Sequence, residues 1–373
     1  MRKNHRKRIF LKSFYITVAA SLAVIIALVI TWSQLVTPPQ QREFIAAQPI
    51  DPNRPVVDDE GFLIVHRPDE EEGEDDDEYS WPVHTAPAWA TDRRPYFWTF
   101  LIIGLNEGIN ANTVMVASYC GISREAYLIS IPRDVPVHPT RNGRKLSSSY
   151  MIGARSGGAA GGVAQVQRDV QTVIGFVPDF YVLIDYDAFF TIIDAVGGIE
   201  IYVPQRMRYD DPYQNLFIDL HPGLQHMDSQ AALHFSRFRQ ANRNSGYPGL
   251  PGGDLGRVRN QQAVIEAVIA RLLRPENLNP VRINHFVNIF NDSVHTNISF
   301  TEALFFATEL NHVRRADGIT DALTTYTFDG PTGTVNGQSY VFLMPATVLE
   351  LLNRTVNPFD RNFTAEDLRI VRQ

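Results

Sequence analysis

Arginine side chains stand at the ends of predicted elements, where they are able to bind an anion. The stretch "AYLISIPRDVPV" sets Arg133 and Asp134 directly after an apolar strand-like run and Pro132. Because proline cannot donate to a central sheet ladder, the chain leaves the sheet there, and α/β proteins hold ligands outside strand ends. A second stretch, "HFSRFRQ", places Arg237 and Arg239 at the end of a predicted helix. Forked guanidinium groups match phosphate oxygens, so these segments indicate a polyanion site.

A third basic segment adds anion-binding groups at the start of a helix. In "GGDLGRVRNQQ", Arg257 and Gln261 are four residues apart and share a helix face, and Asp254 lies near the helix start. Helix N-termini attract phosphate, and Lys145 in "GRKLSSSY" supplies another cation. The glycine-rich "GARSGGAAGGV" lacks the Lys-Ser/Thr of a P-loop, so it is interpreted as a loop that leads into a helix.

Each of these segments also has an interpretation without a ligand. In that interpretation, Arg133 and Asp134 are a surface ion pair, the arginines at a helix end complement the helix dipole, and Asp254 is a helix cap. Several arginines, one lysine and a helix start within one chain favour the polyanion site over separate structural roles.

Apolar patterns predict the elements that position these side chains. The runs "FWTFLIIG", "TVMVASY", "AYLISIP", "DFYVLIDY" and "IEIYVP" are typical of buried strands. Helical patterns follow in "GVAQVQRDVQTVIG", in "DAFFTIIDAVGG", in "DSQAALHFSRFR" with Asp228 as N-cap, in residues 255–273, and in "SFTEALFFATEL", where Ser299 and Glu302 have capping-box spacing. Strands that alternate with helices predict an α/β layered domain with a mixed sheet.

The N-terminal quarter of the chain differs in composition from the rest. Residues 1–13 are basic, and residues 14–36 are apolar over about the ~20 residues of a spanning helix, which predicts a membrane anchor with the basic tail in the cytoplasm. A cleaved signal peptide is the alternative, although the apolar run exceeds the roughly 7–15 residues of a signal core. Residues 37–94 are acidic and proline-rich and are predicted to form a disordered stalk. The folded domain is predicted at residues 95–373, outside the cytoplasm.

Composition excludes several protein classes. The run 69–78 carries nine acids, so the rest of the chain has a net charge of +2, and the acidity says little about partners of the folded part. A single cysteine, Cys120, excludes an internal disulfide framework and a cysteine-rich zinc site. A hydrophobic content of 44 % is enough for a sizeable core.

These blocks, in this order, resemble the LytR-CpsA-Psr family of cell-envelope proteins. The resemblance is carried by "LIIGLN", "NTVMVAS", "SIPRDVPV", "KLSSSY", "DYDAFFTIIDAVGGIEIYVP", "GLQHMDSQAALHFSRFR" and "GDLGRVRNQQ". It implies an αβα sandwich with a mixed central sheet, a hydrophobic tunnel for a polyprenyl chain and an arginine-rich mouth for its pyrophosphate. It also implies transfer of a phosphoglycopolymer from that lipid to a cell-wall sugar hydroxyl, usually with Mg²⁺, by a phosphotransferase that sometimes has pyrophosphatase activity.

The resemblance assigns roles to particular residues of this chain. The positions that contact pyrophosphate are matched by Arg133, Lys145, Arg237, Arg239, Arg257 and Gln261, with Asp254 in a supporting position. Arg133 and Asp134 are the catalytic pair that the resemblance implies, with Asp134 orienting Arg133.

The chain departs from the family pattern where a metal is expected. Asn106 and Asn112 stand at the two metal positions in place of aspartates, Asn110 replaces an arginine, and Asn260 replaces the second arginine of the helix motif. A neutral amide neither offsets the charge of Mg²⁺ nor accepts a proton as a base. Glu107 is a neighbouring acid, but adjacent strand residues point to opposite faces.

Two functions therefore remain open at this point. One is a membrane-anchored glycopolymer transferase with a remodelled metal site, whose partners are a polyprenyl pyrophosphate-linked glycan and a cell-wall polymer. The other is a non-catalytic protein that binds polyprenyl pyrophosphate and has lost the metal carboxylates. A folded domain outside the cytoplasm argues against direct regulation of DNA, so no nucleic-acid partner is predicted.

Overall fold

A computed structural model describes residues 38–41, 56–57, 63–64, 92–106, 109–139, 141, 143–243, 245–313 and 323–371. The predicted membrane segment, residues 14–36, and most of the predicted stalk lie outside this set. Within the described residues, no helix combines the length and the apolar character needed to cross a bilayer.

The described strands range from two to ten residues in length, and the first two lie within the predicted stalk. In chain order they are β1 (Val56–Val57), β2 (Leu63–Ile64), β3 (Phe97–Leu105), β4 (Ala111–Cys120), β5 (Glu125–Ile131), β6 (Phe180–Ile184), β7 (Ile199–Val203), β8 (Met207–Asp211), β9 (Leu216–Leu220), β10 (Gly223–Met227), β11 (His295–Thr296), β12 (Leu323–Thr327), β13 (Thr332–Val335) and β14 (Gln338–Val341).

The α-helices are interspersed among these strands. They are α1 (Ser149–Ile174), α2 (Tyr186–Ala195), α3 (Ser229–Arg237), α4 (Asp254–Leu272), α5 (Pro280–Ser293), α6 (Phe300–Val313) and α7 (Pro345–Thr355). Short 3-10 turns lie at Leu146–Ser148, Pro212–Gln214, Pro275–Asn277 and Ala365–Asp367.

A six-stranded sheet forms the centre of the domain, in the order β11-β6-β3-β4-β5-β12. Strand β3 pairs parallel with β6 and antiparallel with β4, while β5 pairs antiparallel with β4 and parallel with β12. The predicted α/β fold with a mixed central sheet is confirmed. The hairpin β3–β4 has a register shift between Gly104 and Leu105, next to the loop that contains Asn106.

Helices cover both faces of this sheet, which gives three layers. On one face, Leu101, Ile103 and Val116 of the sheet pack with Val166 of α1 and Leu352 of α7 in a single buried cluster. On the other face, the aromatic side chains of Trp98 and Phe180 pack with Phe305 and Phe306 of α6. Sheet strands buried on both faces explain why their sequences are almost continuously apolar.

A smaller unit carries two of the predicted site arginines. The hairpin β8–β9 and the antiparallel pair β7–β10 pack on α3 around a separate apolar cluster that includes Met207, Ile218 and Phe235. The run "IEIYVP" is therefore a strand, β7, but it pairs with β10 outside the central sheet.

The glycine-rich stretch "GARSGGAAGGV" is not the loop that its composition predicts. It lies inside α1, which is interrupted at Gly158 by a left-handed conformation with φ 58° and ψ −151°. The two halves of the helix cross so closely that a Cβ built on Gly153 would lie 2.1 Å from the carbonyl oxygen of Gly161. The glycines thus serve close backbone packing and not phosphate binding.

Local capping predictions agree with the structure. The Asp228 carboxylate accepts a hydrogen bond from the Ala231 N–H at 2.8 Å, and the Glu302 carboxylate accepts one from the Ser299 N–H at 2.7 Å. These side chains fix where α3 and α6 begin.

The contacts that tie down the start of the domain begin before residue 95. Arg93 Nη2 lies 2.7 Å from the buried Asp179 carboxylate, which also accepts hydrogen bonds from the Thr99 N–H at 2.9 Å and the Thr99 hydroxyl at 2.8 Å. Further upstream, the Trp98 indole donates to the Pro39 carbonyl at 3.3 Å. A part of the segment 37–94 therefore contacts the folded domain.

Candidate functional site

The loop between β3 and β4 places two asparagines at one edge of the sheet. The Asn106 N–H donates to the Asn110 carbonyl oxygen at 3.1 Å, and the Asn106 side-chain oxygen accepts from the Asn110 N–H at 3.1 Å. Gly104 permits the close approach of β3 to β4 next to this loop, because a Cβ there would lie 2.9 Å from Thr113 Cβ. Asn112 follows on β4, and Asn106 and Asn112 line the same cavity.

Arg133 leaves the end of β5 and contacts this pair of strands. Its Nη1 donates to the Asn112 side-chain oxygen at 3.0 Å, and its Nη2 lies 3.8 Å from Asp254 Oδ1. The Asp134 carboxylate lies 3.8 Å from Arg133 Nε but only 2.8 Å from Lys145 Nζ. Asp134 therefore pairs mainly with Lys145 and contacts Arg133 at longer range.

Asp254, the first residue of α4, is the centre of a cluster of arginines. Its Oδ1 lies 2.9 Å from Arg257 Nη2 and 3.9 Å from Arg239 Nε, in addition to its contact with Arg133. Burial and the nearby Arg133 lower the pKa of Arg257 to about 10. That value is far above neutral pH, so the guanidinium remains charged and the cluster carries an excess of positive charge.

Arg237 and Arg239 reach the same cavity from the end of α3. Arg237 donates to the Gln214 side-chain oxygen at 3.1 Å and lies over the Tyr186 ring, 5.6 Å from its centroid. Phe238, between the two arginines, is 1 % exposed and packs in the core of the smaller unit. Both arginines line the cavity, and the buried phenylalanine between them anchors the end of α3.

Seven of the ten predicted site residues line one cavity of about 440 Å³, which we call the polar cavity. Among its lining residues are Asn106, Asn112, Arg133, Arg237, Arg239, Arg257 and Gln261. Lys145, Asp134 and Asp254 are not in its lining. Lys145 instead pairs with Asp134 and lies over the Tyr340 ring, 5.2 Å from its centroid.

A second cavity of about 370 Å³ adjoins the polar one and is almost entirely apolar. It lies between the sheet and helices α4, α5 and α6, lined by side chains such as Phe100, Leu128 and Phe290. Ile102 of β3 and Ile265 of α4 line both cavities. We refer to this pair of isoleucines as the waist.

Some lining residues were missed by sequence reasoning. Asp185, Tyr186 and Gln214 line the polar cavity, and Asp185 also caps α2 by accepting the Ala188 N–H at 2.9 Å. The position of Asp185 directly after strand β6 is a signal that could have identified it, because ligand groups gather beyond strand ends. Gln214 lies in the β8–β9 connection and has no such signal.

Asn260, at the position of an expected arginine, points away from the cavity. Its amide donates to the Phe235 carbonyl at 2.9 Å and so joins α4 to α3. The adjacent Arg259 donates to the Pro251 carbonyl at 2.5 Å. Neither residue lines the polar cavity.

Comparison with protein families and curated proteins gives consistent matches. The LytR_cpsA_psr family matches residues 91–357. Biofilm regulatory protein A of Streptococcus mutans is 22 % identical over 74 % of this chain and 67 % of its own length. The polyisoprenyl-teichoic acid–peptidoglycan teichoic acid transferase TagV of Bacillus subtilis is 28 % identical over 48 % of this chain and 42 % of its own length.

Solved structures share the fold at low sequence identity. Bacillus subtilis TagV superimposes with a TM-score of 0.56 at 21 % identity, covering 70 % of this chain and 97 % of its own. Protein gbs0355 of Streptococcus agalactiae gives 0.59 at 19 % identity, covering 74 % and 92 %. TagT bound to LIIa-WTA gives 0.53 at 16 % identity, covering 72 % and 92 %.

Proposed function

The chain belongs to the LytR_cpsA_psr family, and on that premise we propose that it is a cell-envelope glycopolymer transferase. Its donor is a glycan linked to a polyprenyl pyrophosphate, and its acceptor is a sugar hydroxyl of a cell-wall polymer. The observation that carries this proposal is the junction of an arginine-lined cavity and an apolar cavity at the waist. One ligand with an anionic head and a long apolar tail suits both. The name of the B. subtilis relative TagV, a teichoic acid transferase, supports the same class of reaction.

The arginines have a specific role in this proposal. The acceptor oxygen attacks the phosphorus that carries the glycan, the bond from that phosphorus to the bridging oxygen breaks, and polyprenyl phosphate leaves while the hydroxyl proton passes to solvent. Negative charge grows on the leaving phosphate, and fixed guanidinium groups of Arg133 and Arg257 stabilise such charge without reorganisation. Asp254 positions both arginines through its contacts at 3.8 Å and 2.9 Å.

A second candidate function is favoured by the asparagines in the cavity. Because Asn106 and Asn112 stand where the family pattern has carboxylates, a protein that only binds the lipid is the alternative. Incubation of the purified protein with a labelled polyprenyl pyrophosphate-linked glycan and peptidoglycan separates the two. Labelled peptidoglycan together with released polyprenyl phosphate supports the transferase. Binding without either product supports the non-catalytic protein, and release without attachment indicates pyrophosphatase activity.

The apolar cavity is expected to hold the prenyl tail, so a larger side chain at the waist should weaken binding of long lipids. In Ile265→Phe, the added volume lies where both cavities are lined by Ile265 and Ile102. Accommodating the tail against the added ring should cost about 1–3 kcal/mol, as overpacking usually does, so affinity for a C20 prenyl pyrophosphate should fall by about fivefold or more. Calorimetric titration measures the change. Affinity for dimethylallyl pyrophosphate is the control and should be unchanged, while an equal loss for both ligands would contradict a tail site beyond the waist.

We also propose that the protein is a single-pass membrane protein with its N-terminus in the cytoplasm. This proposal rests on the basic residues 1–13 that precede the apolar residues 14–36. Protease added to cells with a permeable wall and an intact membrane should degrade the folded domain, with a cytoplasmic protein as the protected control. Protection of the domain until the membrane is lysed would reverse the proposed orientation.

A further inference from the structure

The oxygen atoms at the two expected metal positions already accept hydrogen bonds. Asn112 Oδ1 accepts from the Arg133 guanidinium at 3.0 Å, and Asn106 Oδ1 accepts from the Asn110 N–H at 3.1 Å. Mg²⁺ in proteins is usually bound by one or two carboxylates together with substrate phosphates. Here both amides are neutral, and the Asn112 amide binds the cationic Arg133 side chain where a metal ion is expected.

The carboxylates near the cavity are engaged by other groups: Asp254 and Asp134 contact cations, and Asp185 accepts the Ala188 N–H. Asp254 contacts Arg133, Arg239 and Arg257, and Asp134 contacts Lys145 at 2.8 Å. Across the part of the chain that the structure describes, no group of three or more His, Cys, Asp or Glu side chains is arranged to hold a metal ion. The neutral amides at the two expected positions therefore do not fit the divalent cation that the family resemblance implies.

The charge in the cavity is sufficient for a pyrophosphate without a metal. Four guanidiniums line it, those of Arg133, Arg237, Arg239 and Arg257, against the carboxylate of Asp185 in the lining and that of Asp254 behind the arginines. A pyrophosphate that is esterified at both ends carries two negative charges. A divalent cation bound at Asn112 would lie beside the Arg133 guanidinium, and like charges at that range repel.

We propose that this site binds the lipid pyrophosphate without a divalent cation, and that Arg133, held by Asn112 and Asp254, provides the positive charge in the metal's place. The proposal rests on the proposed function for the identity of the ligand. It concerns the charge that neutralises the pyrophosphate and does not depend on whether the protein also transfers the glycan.

Titration of the full-length protein in detergent with geranylgeranyl pyrophosphate tests this proposal. The dissociation constant should differ by less than about threefold between EDTA and millimolar Mg²⁺, because neutral amides stand at both expected metal positions. Wild-type affinity that rises tenfold or more with Mg²⁺ would overturn the proposal while leaving the proposed function intact. Failure to bind the probe under either condition would overturn both.

A matched pair of variants gives the converse test. Asn112→Asp puts a carboxylate into the cavity, so binding should weaken in EDTA and recover at least about tenfold with Mg²⁺. Asn110→Asp adds the same charge two residues away, outside the residues that line the cavity, and should show no Mg²⁺ response. An equal response in both variants, or none in Asn112→Asp, would contradict the assignment of that position.

Glu107 requires its own variant because it lies outside the described residues. If Glu107 is not a metal ligand, Glu107→Gln should bind the probe as the wild type does in EDTA and in Mg²⁺. A metal response in the wild type that disappears in Glu107→Gln would identify Glu107 as the ligand and overturn the proposal.

Discussion

The double variant Arg237→Ala, Arg239→Ala is expected to bind a polyprenyl pyrophosphate about 10²–10⁴-fold more weakly than the wild type. Each charge-assisted hydrogen bond contributes about 1.5–3 kcal/mol. Loss of one such bond from each arginine therefore costs about 3–6 kcal/mol of binding free energy, which corresponds to that loss of affinity. The fold should survive because the Arg239 side chain is 50 % exposed and Phe238, which anchors the segment, is retained. Calorimetric titration with geranylgeranyl pyrophosphate measures the loss.

Two controls separate the loss of the two arginine side chains from misfolding. Arg208→Ala removes an exposed arginine of the neighbouring hairpin, where Arg208 Nε lies 3.7 Å from Asp210, and should leave affinity nearly unchanged. Geranylgeraniol, which has the same tail without the pyrophosphate, should bind the double variant and the wild type equally. Equal pyrophosphate affinity in the double variant and the wild type would refute the role of these arginines.

The second large effect is expected on stability. Asp179→Ala should lower the free energy of unfolding by about 3–5 kcal/mol, the usual loss when one partner of a buried ion pair is removed. The Asp179 side chain is 1 % exposed, and its carboxylate accepts from Arg93 at 2.7 Å and from both the N–H and the hydroxyl of Thr99. The substitution leaves the Arg93 guanidinium in a mostly buried position without this partner. Urea unfolding followed by circular dichroism measures the difference.

Asp228→Ala is the matched comparison for this prediction. It also removes an aspartate that accepts backbone hydrogen bonds, but at an exposed helix N-cap, so it should cost about 1 kcal/mol. If Asp179→Ala and Asp228→Ala destabilise the protein equally, the ion pair between Arg93 and Asp179 does not stabilise the start of the domain as described.

Elements with local signals could be predicted from the sequence. Strands β3 to β6 are continuous apolar runs, and the side chains of Asp228 and Ser299 mark the starts of their helices. The arginine positions also follow from local order, because Arg133 closely follows a strand and Arg257 lies in the first turn of a helix. The contacts of Arg133 and Arg239 with Asp254 could not be predicted from local sequence, because Arg133 is distant from the other two residues along the chain.

Other features depend on contacts that no local pattern encodes. Glycines around Gly158 have the composition of a loop, but the close crossing of Gly153 and Gly161 makes them part of a bent helix. Lys145 has the charge for phosphate binding, yet Asp134 and the Tyr340 ring hold its ammonium group beside the cavity. The waist arises because β3 and α4, far apart in sequence, each contribute one isoleucine.

The shared wall at Ile102 and Ile265 has a consequence for how tightly separate pieces of the lipid bind. When a ligand joins two pieces that fit adjacent subsites, binding of the first piece makes binding of the second an intramolecular step. The joined ligand then binds about 10²–10⁴-fold more tightly than either piece alone. Inorganic pyrophosphate and a free prenol should therefore each bind weakly and at the same time, without competition. A small inhibitor confined to one side of the isoleucines gives up this gain, whereas a compound that joins an anionic group to a tail across them retains it.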